Sequence, residues 1–334
     1  MEYRSLGSTG IKISAVSFGA GPVSGLMTAE DVDRQAAVIA RAVEQGVNWF
    51  DTAATYGAGQ SEINLGSALK GFGTKSNLHV ATKVRLALEE SGSIGDQIKR
   101  SFRASLGRLG LERVTLLQLH NAVTRARGDE PTSLSVRDVI GPGGVLDTFD
   151  ELKASGQVQL VGLTGTGQPQ AMREVIATGA FETIQVPYHL LNPSAGQPMT
   201  SRFLETDYGN VIKDCAEQNM GVLAIRVLAA GAIIGNRPSA HTLKTPFFPL
   251  DLYERDARRA ARIQDQLGES CSMSELALRF VLSHPHVSSA LIGFGKPAHV
   301  DEAVSSLNAG HLSDDVLQSL NLLRLDESDE SGGR

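Results

Sequence analysis

Residues 46–70, GVNWFDTAATYGAGQSEINLGSALK, carry the pattern on which the fold turns. Val47 to Asp51 is a short apolar run that begins after Gly46 and ends in a carboxylate, which reads as a buried strand. Gln60 to Leu69 then has helical period, and the connection between the two is made of small side chains around Tyr56. The unit is one buried strand feeding one helix, with an acid and a phenol where the strand ends.

The same unit recurs along the chain. Strands are predicted at Ala15 to Gly19, Val47 to Asp51, His79 to Val84, Thr115 to His120, Leu160 to Thr164, Thr183 to Pro187, Val222 to Val227 and Ser289 to Gly293. Helices are predicted at Ala29 to Gln45, Gln60 to Leu69, Ile94 to Leu109, Gly144 to Ala154, Gln168 to Thr178, Asp207 to Asn219, Tyr253 to Leu267 and Ala298 to Leu307, with an extra one at Ser274 to Ser283. Strands covered on both faces read as continuous apolar runs, so eight of them, each feeding a helix, predict an α/β protein built as a closed (β/α)8 TIM barrel. The opening YRSLGSTGIKIS, residues 3–14, reads as a β-hairpin turning at Gly7-Ser8-Thr9-Gly10.

A doubly wound open sheet is the competing fold, and GAGPVSG at residues 19–25 is its best support. That segment is one residue too long for the dinucleotide fingerprint and contains Pro22, so it reads as a glycine-containing loop. Two long breaks, 124–143 and 231–252, follow strands and fall on the carboxyl-terminal face of the barrel, where loops shape the pocket. Residues 1–324 are expected to form one barrel domain, and the acidic, small and polar residues 325–334 a disordered tail.

Composition narrows the function classes. A formal net charge of −6 and the lack of a Lys/Arg cluster with interleaved aromatics argue against a nucleic-acid partner. The start, Met1-Glu2-Tyr3-Arg4, has no apolar signal core, and the most hydrophobic stretch, Gly221 to Gly235, is short and contains Arg226. A cytoplasmic protein without a membrane partner is the expectation. Cys215 and Cys271 have no metal-ligand spacing, and no His-x-His pair stands at a strand end, so no metal is expected.

Polar residues at the strand ends suggest the chemistry. Asp51 ends the second strand, Lys83 the third and His120 the fourth, with Tyr56 just past Asp51. Each alone is an ordinary turn acid, solvated lysine or core histidine; on adjacent strands of one barrel they converge on one pocket. A phenol of ordinary pKa about 10 moves protons poorly near neutrality, and a neighbouring ammonium favours its ionised form. Lys83 would supply that ammonium, Asp51 would hold it charged, and His120 would orient a carbonyl oxygen. The four make an acid that protonates an alkoxide forming from a carbonyl, and they lack a hydride source.

The segments GVNWFDTAATYG, SEINLGSAL, VATKV and LLQLHNA, in this order and spacing, resemble the aldo-keto reductase superfamily over nearly the whole chain. The resemblance implies a (β/α)8 barrel and a nicotinamide cofactor bound without a Rossmann domain. It makes Tyr56 the general acid/base, Asp51 and Lys83 its tuning pair, and His120 the residue that positions the carbonyl, with Asn121 beside them in the substrate pocket. GQVQLVGLTGTG is similar to the family's fifth-strand segment, whose serine-asparagine pair at the nicotinamide carboxamide is replaced here by Thr164 and Gly165. ETIQVPYHLLN matches the sixth-strand segment and places Gln185 at the same group. GVLAIRVLAAG offers Ile225 and Arg226 where the family often has a stacking aromatic.

LIGFGKPAHVDEAV resembles the family's phosphate-binding loop and helix. The resemblance brings Gly293, Gly295, Lys296, His299 and Glu302 to the cofactor, with Gly21 and Asp51 at its other end. Gly293 and His299 align where relatives that prefer NADP carry a lysine and an arginine, and Lys296 is displaced by a few residues. NADP(H) is favoured, with NAD(H) the alternative. The reading is an oxidoreductase that interconverts an aldehyde or ketone, sugars included, and its alcohol. Its rival is a regulatory subunit that keeps the barrel and cofactor pocket but has little turnover. A metal-assisted hydrolase using His120, His189 and Asp51 ranks last for want of a ligand pair.

Overall fold

The computed structural model describes residues 1–73, 77–87, 89–90, 92–200, 203, 205–244, 250–267 and 271–326. Its strands are β1 (Tyr3–Ser5), β2 (Lys12–Ser14), β3 (Val16–Gly19), β4 (Trp49–Asp51), β5 (His79–Val84), β6 (Val114–Leu119), β7 (Val123–Thr124), β8 (Leu134–Ser135), β9 (Val158–Thr164), β10 (Thr183–Pro187), β11 (Gly221–Ile225) and β12 (Val287–Ile292). Its α-helices are α1 (Val32–Glu44), α2 (Gln60–Leu69), α3 (Ile94–Leu109), α4 (Val136–Ile140), α5 (Val145–Ala154), α6 (Pro169–Ile176), α7 (Val211–Glu217), α8 (Leu250–Leu267), α9 (Met273–Leu282), α10 (Pro297–Ser306) and α11 (Asp314–Asp326). Eight parallel strands close a barrel in the order β3, β4, β5, β6, β9, β10, β11, β12 and back to β3. All eight expected strands are barrel staves, with ends displaced by a residue or two.

The barrel floor sets the direction of every side chain above it. Leu6, Ile13, Trp49, Ala81, Leu116, Leu160 and Leu223 form one buried cluster, so the β1–β2 hairpin contributes apolar side chains to the same interior as the staves. Gly7 is required there: its φ is +55°, and a Cβ would lie 2.4 Å from the Asn219 carbonyl oxygen. Side chains two apart in a strand share a face. Trp49 and Ala81 point inward, so Asp51 and Lys83 point inward one step nearer the carboxyl-terminal mouth. The larger core lies outside the staves, where Val16, Phe50, Leu117, Val161, Ile184 and Val222 pack with the helices.

Among their described residues the two long breaks carry secondary structure of their own. Segment 124–143 holds α4, all of β8 and the second residue of its parallel partner β7. The signal was the capping box Ser135-Val-Arg-Asp138, in which each residue's side chain bonds the other's backbone N–H. Segment 231–252 includes most of a 3-10 stretch, Ala229–Ile234, a second at Thr242–Lys244 and the start of α8. Helix α7 starts at Val211 rather than Asp207 because Gly209 and Asn210 have φ of +68° and +57°, which a right-handed helix excludes. Of the expected tail, Leu325 and Asp326 belong to α11, and residues 327–334 lie outside the described residues. Among the described residues no helix is long and apolar enough to cross a membrane.

Candidate active site

The structure brings Asp51, Tyr56, Lys83 and His120 together at the barrel mouth. Asp51 ends β4 and Lys83 stands one residue before the end of β5, both with side chains almost wholly buried. The connection after Asp51 rides along β5: Thr52 N–H donates to the Ala81 carbonyl at 2.9 Å and Ala54 N–H to the Lys83 carbonyl at 3.3 Å. That track carries Tyr56 up over the lysine. Lys83 Nζ donates to Asp51 Oδ1, to the Thr52 carbonyl at 2.8 Å and to the Tyr56 hydroxyl at 3.4 Å. His120, just past β6, sets its ring edge-on to Tyr56, with centroids 5.7 Å apart and planes at 85°.

Electrostatics separates the roles. Burial opposes the charge on Lys83, but the Asp51 carboxylate and the Tyr56 hydroxyl outweigh it and raise the ammonium above its ordinary pKa. Lys83 is therefore a fixed cation. Burial, with Lys83 and Arg85 adding repulsion, holds His120 well below the ordinary imidazole value, so it is neutral near pH 7. Thr55 Oγ1 lies 3.3 Å from its Nδ1. A hydroxyl donated there leaves Nε2 as the N–H donor.

Two expected site residues have other duties here. Asn121 is buried, its Oδ1 accepting from Leu86 N–H at 2.8 Å and its Nδ2 donating to the Leu86 and Thr132 carbonyls. Both amide hydrogens are engaged, so Asn121 staples the loop after β5 to the segment at Thr132. Gly165 gives its N–H to the Gln185 carbonyl at 2.7 Å, and a Cβ there would meet Val186 Cγ1 at 2.8 Å. Its missing side chain faces the neighbouring strand, so it offers the cofactor neither an amide nor a free N–H. Gln185 is buried and donates to Asp51 Oδ2 at 2.5 Å, which ties the acid from the side opposite Lys83.

The remaining residues divide between two places. Gly21 runs beside the Tyr56 ring, where a Cβ would stand 3.8 Å from Cε2. Ile225 ends β11, and Arg226 follows with φ +60°, the Tyr208 hydroxyl and Asp256 acting on its guanidinium. At β12, Gly293 lies against Ser24, and Gly295 N–H donates to His299 Nδ1 at 3.3 Å. Lys296 is the N-cap of α10 without a side-chain cap bond, and burial, joined by Lys296 and Arg34 against the opposing pull of Glu302, holds His299 below the ordinary imidazole value. Sequence reasoning missed Arg34, whose Nε donates to the Gly295 carbonyl at 2.7 Å from α1. It also missed Arg85, although inward alternation from Lys83 was a signal for it.

The residues fit the nicotinamide cofactor that the sequence resemblance implies. Thr164 Oγ1, at the inward end of β9, is buried with no hydrogen-bond partner among the described residues, an arrangement that is costly unless a ligand or water completes it. The glycines at 293 and 295 and the uncapped start of α10 present backbone rather than side chain at the opposite place.

Comparisons with known proteins agree with this architecture. L-galactose dehydrogenase of Arabidopsis thaliana is 25% identical over 311 residues, covering 92% of this chain and 88% of that protein. The NADH-specific methylglyoxal reductase of Escherichia coli strain K12 is 26% identical over 337 residues, covering 94% and 95%. A solved aldo-keto reductase from Bacillus halodurans, in its holo form, superposes with a TM-score of 0.72 at 22% identity, covering 97% of this chain and 96% of that one. The model of the aldo/keto reductase family matches residues 15–324, and with them the closed barrel and its strand-end residues: the chain belongs to this family of oxidoreductases that use nicotinamide cofactors.

Proposed function

We propose that the protein reduces an aldehyde or ketone, sugars included, to its alcohol and runs the reverse oxidation, with NADP(H) as the favoured cofactor. The observation that carries this reading is Lys83 Nζ, held by Asp51 and the Thr52 carbonyl and reaching the Tyr56 hydroxyl, with His120 edge-on to the same ring. The nicotinamide, when bound, supplies or accepts the hydride. Tyr56 Oη gives its proton to the substrate oxygen during reduction and takes it back during oxidation. Lys83 stabilises the oxygen left behind, Asp51 keeps Lys83 charged, and neutral His120 donates Nε2–H to the carbonyl.

For the cofactor, Thr164 Oγ1 and the Gln185 side-chain amide oxygen take the carboxamide, with Gly21 leaving space beside Tyr56. Ile225 and Arg226 lie along the nicotinamide's approach. Gly293, Gly295, Lys296, His299 and Glu302 receive the phosphate and adenosine end. Arg34 and Lys296 bring two cations to one loop, which favours the extra phosphate of NADP over NAD. Protection from thermal unfolding tests this, since a ligand of the folded state stabilises it by RT ln(1 + [L]/Kd). NADPH is expected to protect at about tenfold lower concentration than NADH, the effect of one charge-assisted contact. Equal or stronger protection by NADH would overturn the NADP assignment, and protection by neither would remove the cofactor site.

A further inference from the structure

The proposed chemistry uses Asp51, Tyr56, Lys83 and His120 and leaves one charged group at the same mouth without a duty. Arg85 follows β5 directly. Alternation puts it on the inward face already marked by Ala81 and Lys83, one step beyond the rim. Its backbone is fixed on both sides: Val84 O accepts from His120 N–H at 2.8 Å, and Leu86 is held through N–H and carbonyl by the Asn121 amide. Such anchoring fixes the point at which the Arg85 side chain leaves the barrel rim.

Charge accounting leaves it unmatched. Asp51 cancels Lys83, His120 is neutral, and among the described residues Arg85 makes no hydrogen bond or ion pair. The residue is exposed, yet surrounding protein desolvates the guanidinium enough to lower its pKa. Arginine does not deprotonate in proteins, so the result is a permanent, partly dehydrated cation near both Tyr56 and His120. The missing counter-charge belongs on something that enters the mouth.

We propose that Arg85 binds an anionic group, carboxylate or phosphate, on the substrate itself, so that the preferred carbonyl compounds are oxo acids or phosphorylated aldehydes. This rests on the oxidoreductase reading above and narrows its substrate class. A planar guanidinium matches two anion oxygens at once and fixes the substrate's orientation, turning its carbonyl toward Tyr56 and His120.

The test compares matched pairs that differ in charge: C3 to C6 oxo acids against their methyl esters, and glyceraldehyde 3-phosphate against glyceraldehyde. The wild-type enzyme should prefer the anionic member of at least one pair by about 10- to 100-fold in kcat/KM, the effect of one hydrogen-bonded charge. Which pair shows it assigns carboxylate or phosphate. Arg85→Gln should lose that preference through KM while leaving the neutral member unchanged, and Arg85→Lys should restore part of it. No preference in either pair, or an equal loss for charged and neutral members, would overturn the proposal. So would weaker NADPH binding by Arg85→Gln, which would assign the guanidinium to the cofactor. Calorimetric titration with unreactive succinate and succinamide separates the two readings. Arg85-dependent succinate binding without turnover keeps the anion site and removes the oxidoreductase, whereas turnover without a charge preference does the reverse.

Discussion

Tyr56→Phe is expected to lower kcat/KM for carbonyl reduction by about 10³-fold, within the range that a positioned general acid contributes. The substitution deletes one oxygen and little else. The ring keeps its edge contact with His120, and Lys83 retains Asp51 and the Thr52 carbonyl as partners. Cofactor protection against unfolding should therefore be unchanged, while the substrate oxygen has no proton to receive. Steady-state kinetics with the wild type's best substrate, alongside thermal protection by NADPH, checks both halves. A variant with wild-type kcat/KM would take Tyr56 out of the proton's path, and lost cofactor protection would mean that the ring's placement had failed instead.

Lys83→Met should damage both activity and stability, and the stability loss should depend on pH. The wild-type pair is buried, and removing one partner of such a pair typically costs about 3–5 kcal/mol because the other charge is left alone. In the wild type, the raised Lys83 pKa means that its stabilisation is fully present below the unfolded lysine value, about 10.4, and is lost as pH rises through the folded value. The variant lacks that high-pH limb. In it Asp51 keeps its burial but loses Lys83's attraction, so its carboxyl moves further above its ordinary value. The folded variant then binds that proton more tightly than the unfolded chain, so its deficit is smallest near pH 4 and grows as pH rises through the Asp51 value. Denaturant unfolding at pH 4, 7 and 9 reads this directly. Adding Asp51→Asn should recover much of the stability and none of the activity. A single variant as stable as the wild type at every pH would contradict the buried-pair account.

Much of this architecture is legible in the chain because its signals are local. Apolar runs such as the one from Leu160 to Thr164 are strands whose both faces are covered, and Asp51, Lys83 and His120 stand where those runs stop. Once the barrel closes, strand-end position alone brings them to one mouth. Other features depend on distant partners. Asn121 sits beside His120 in sequence, yet the amide is taken by Leu86 and Thr132. The clash that excludes a side chain at Gly165 comes from β10. Arg34 reaches the Gly295 loop from the other end of the chain, a pairing that no spacing announces. Arg85 was reachable by counting inward from Lys83, but that it meets no counter-charge among the described residues is visible only in three-dimensional packing.

The measurement that tests the central claim most directly follows the hydride itself. NADPH carrying deuterium on its transferable nicotinamide C4 position is mixed with the wild-type protein and a panel of aldehydes, ketones, sugars and oxo acids, and the products are read by mass spectrometry. The account predicts an alcohol with one deuterium on the former carbonyl carbon, formed by the wild type and far more slowly by Tyr56→Phe. Absence of any labelled alcohol from the wild type with NADPH, and with similarly labelled NADH, would contradict it and leave a cofactor-binding barrel that acts without turnover.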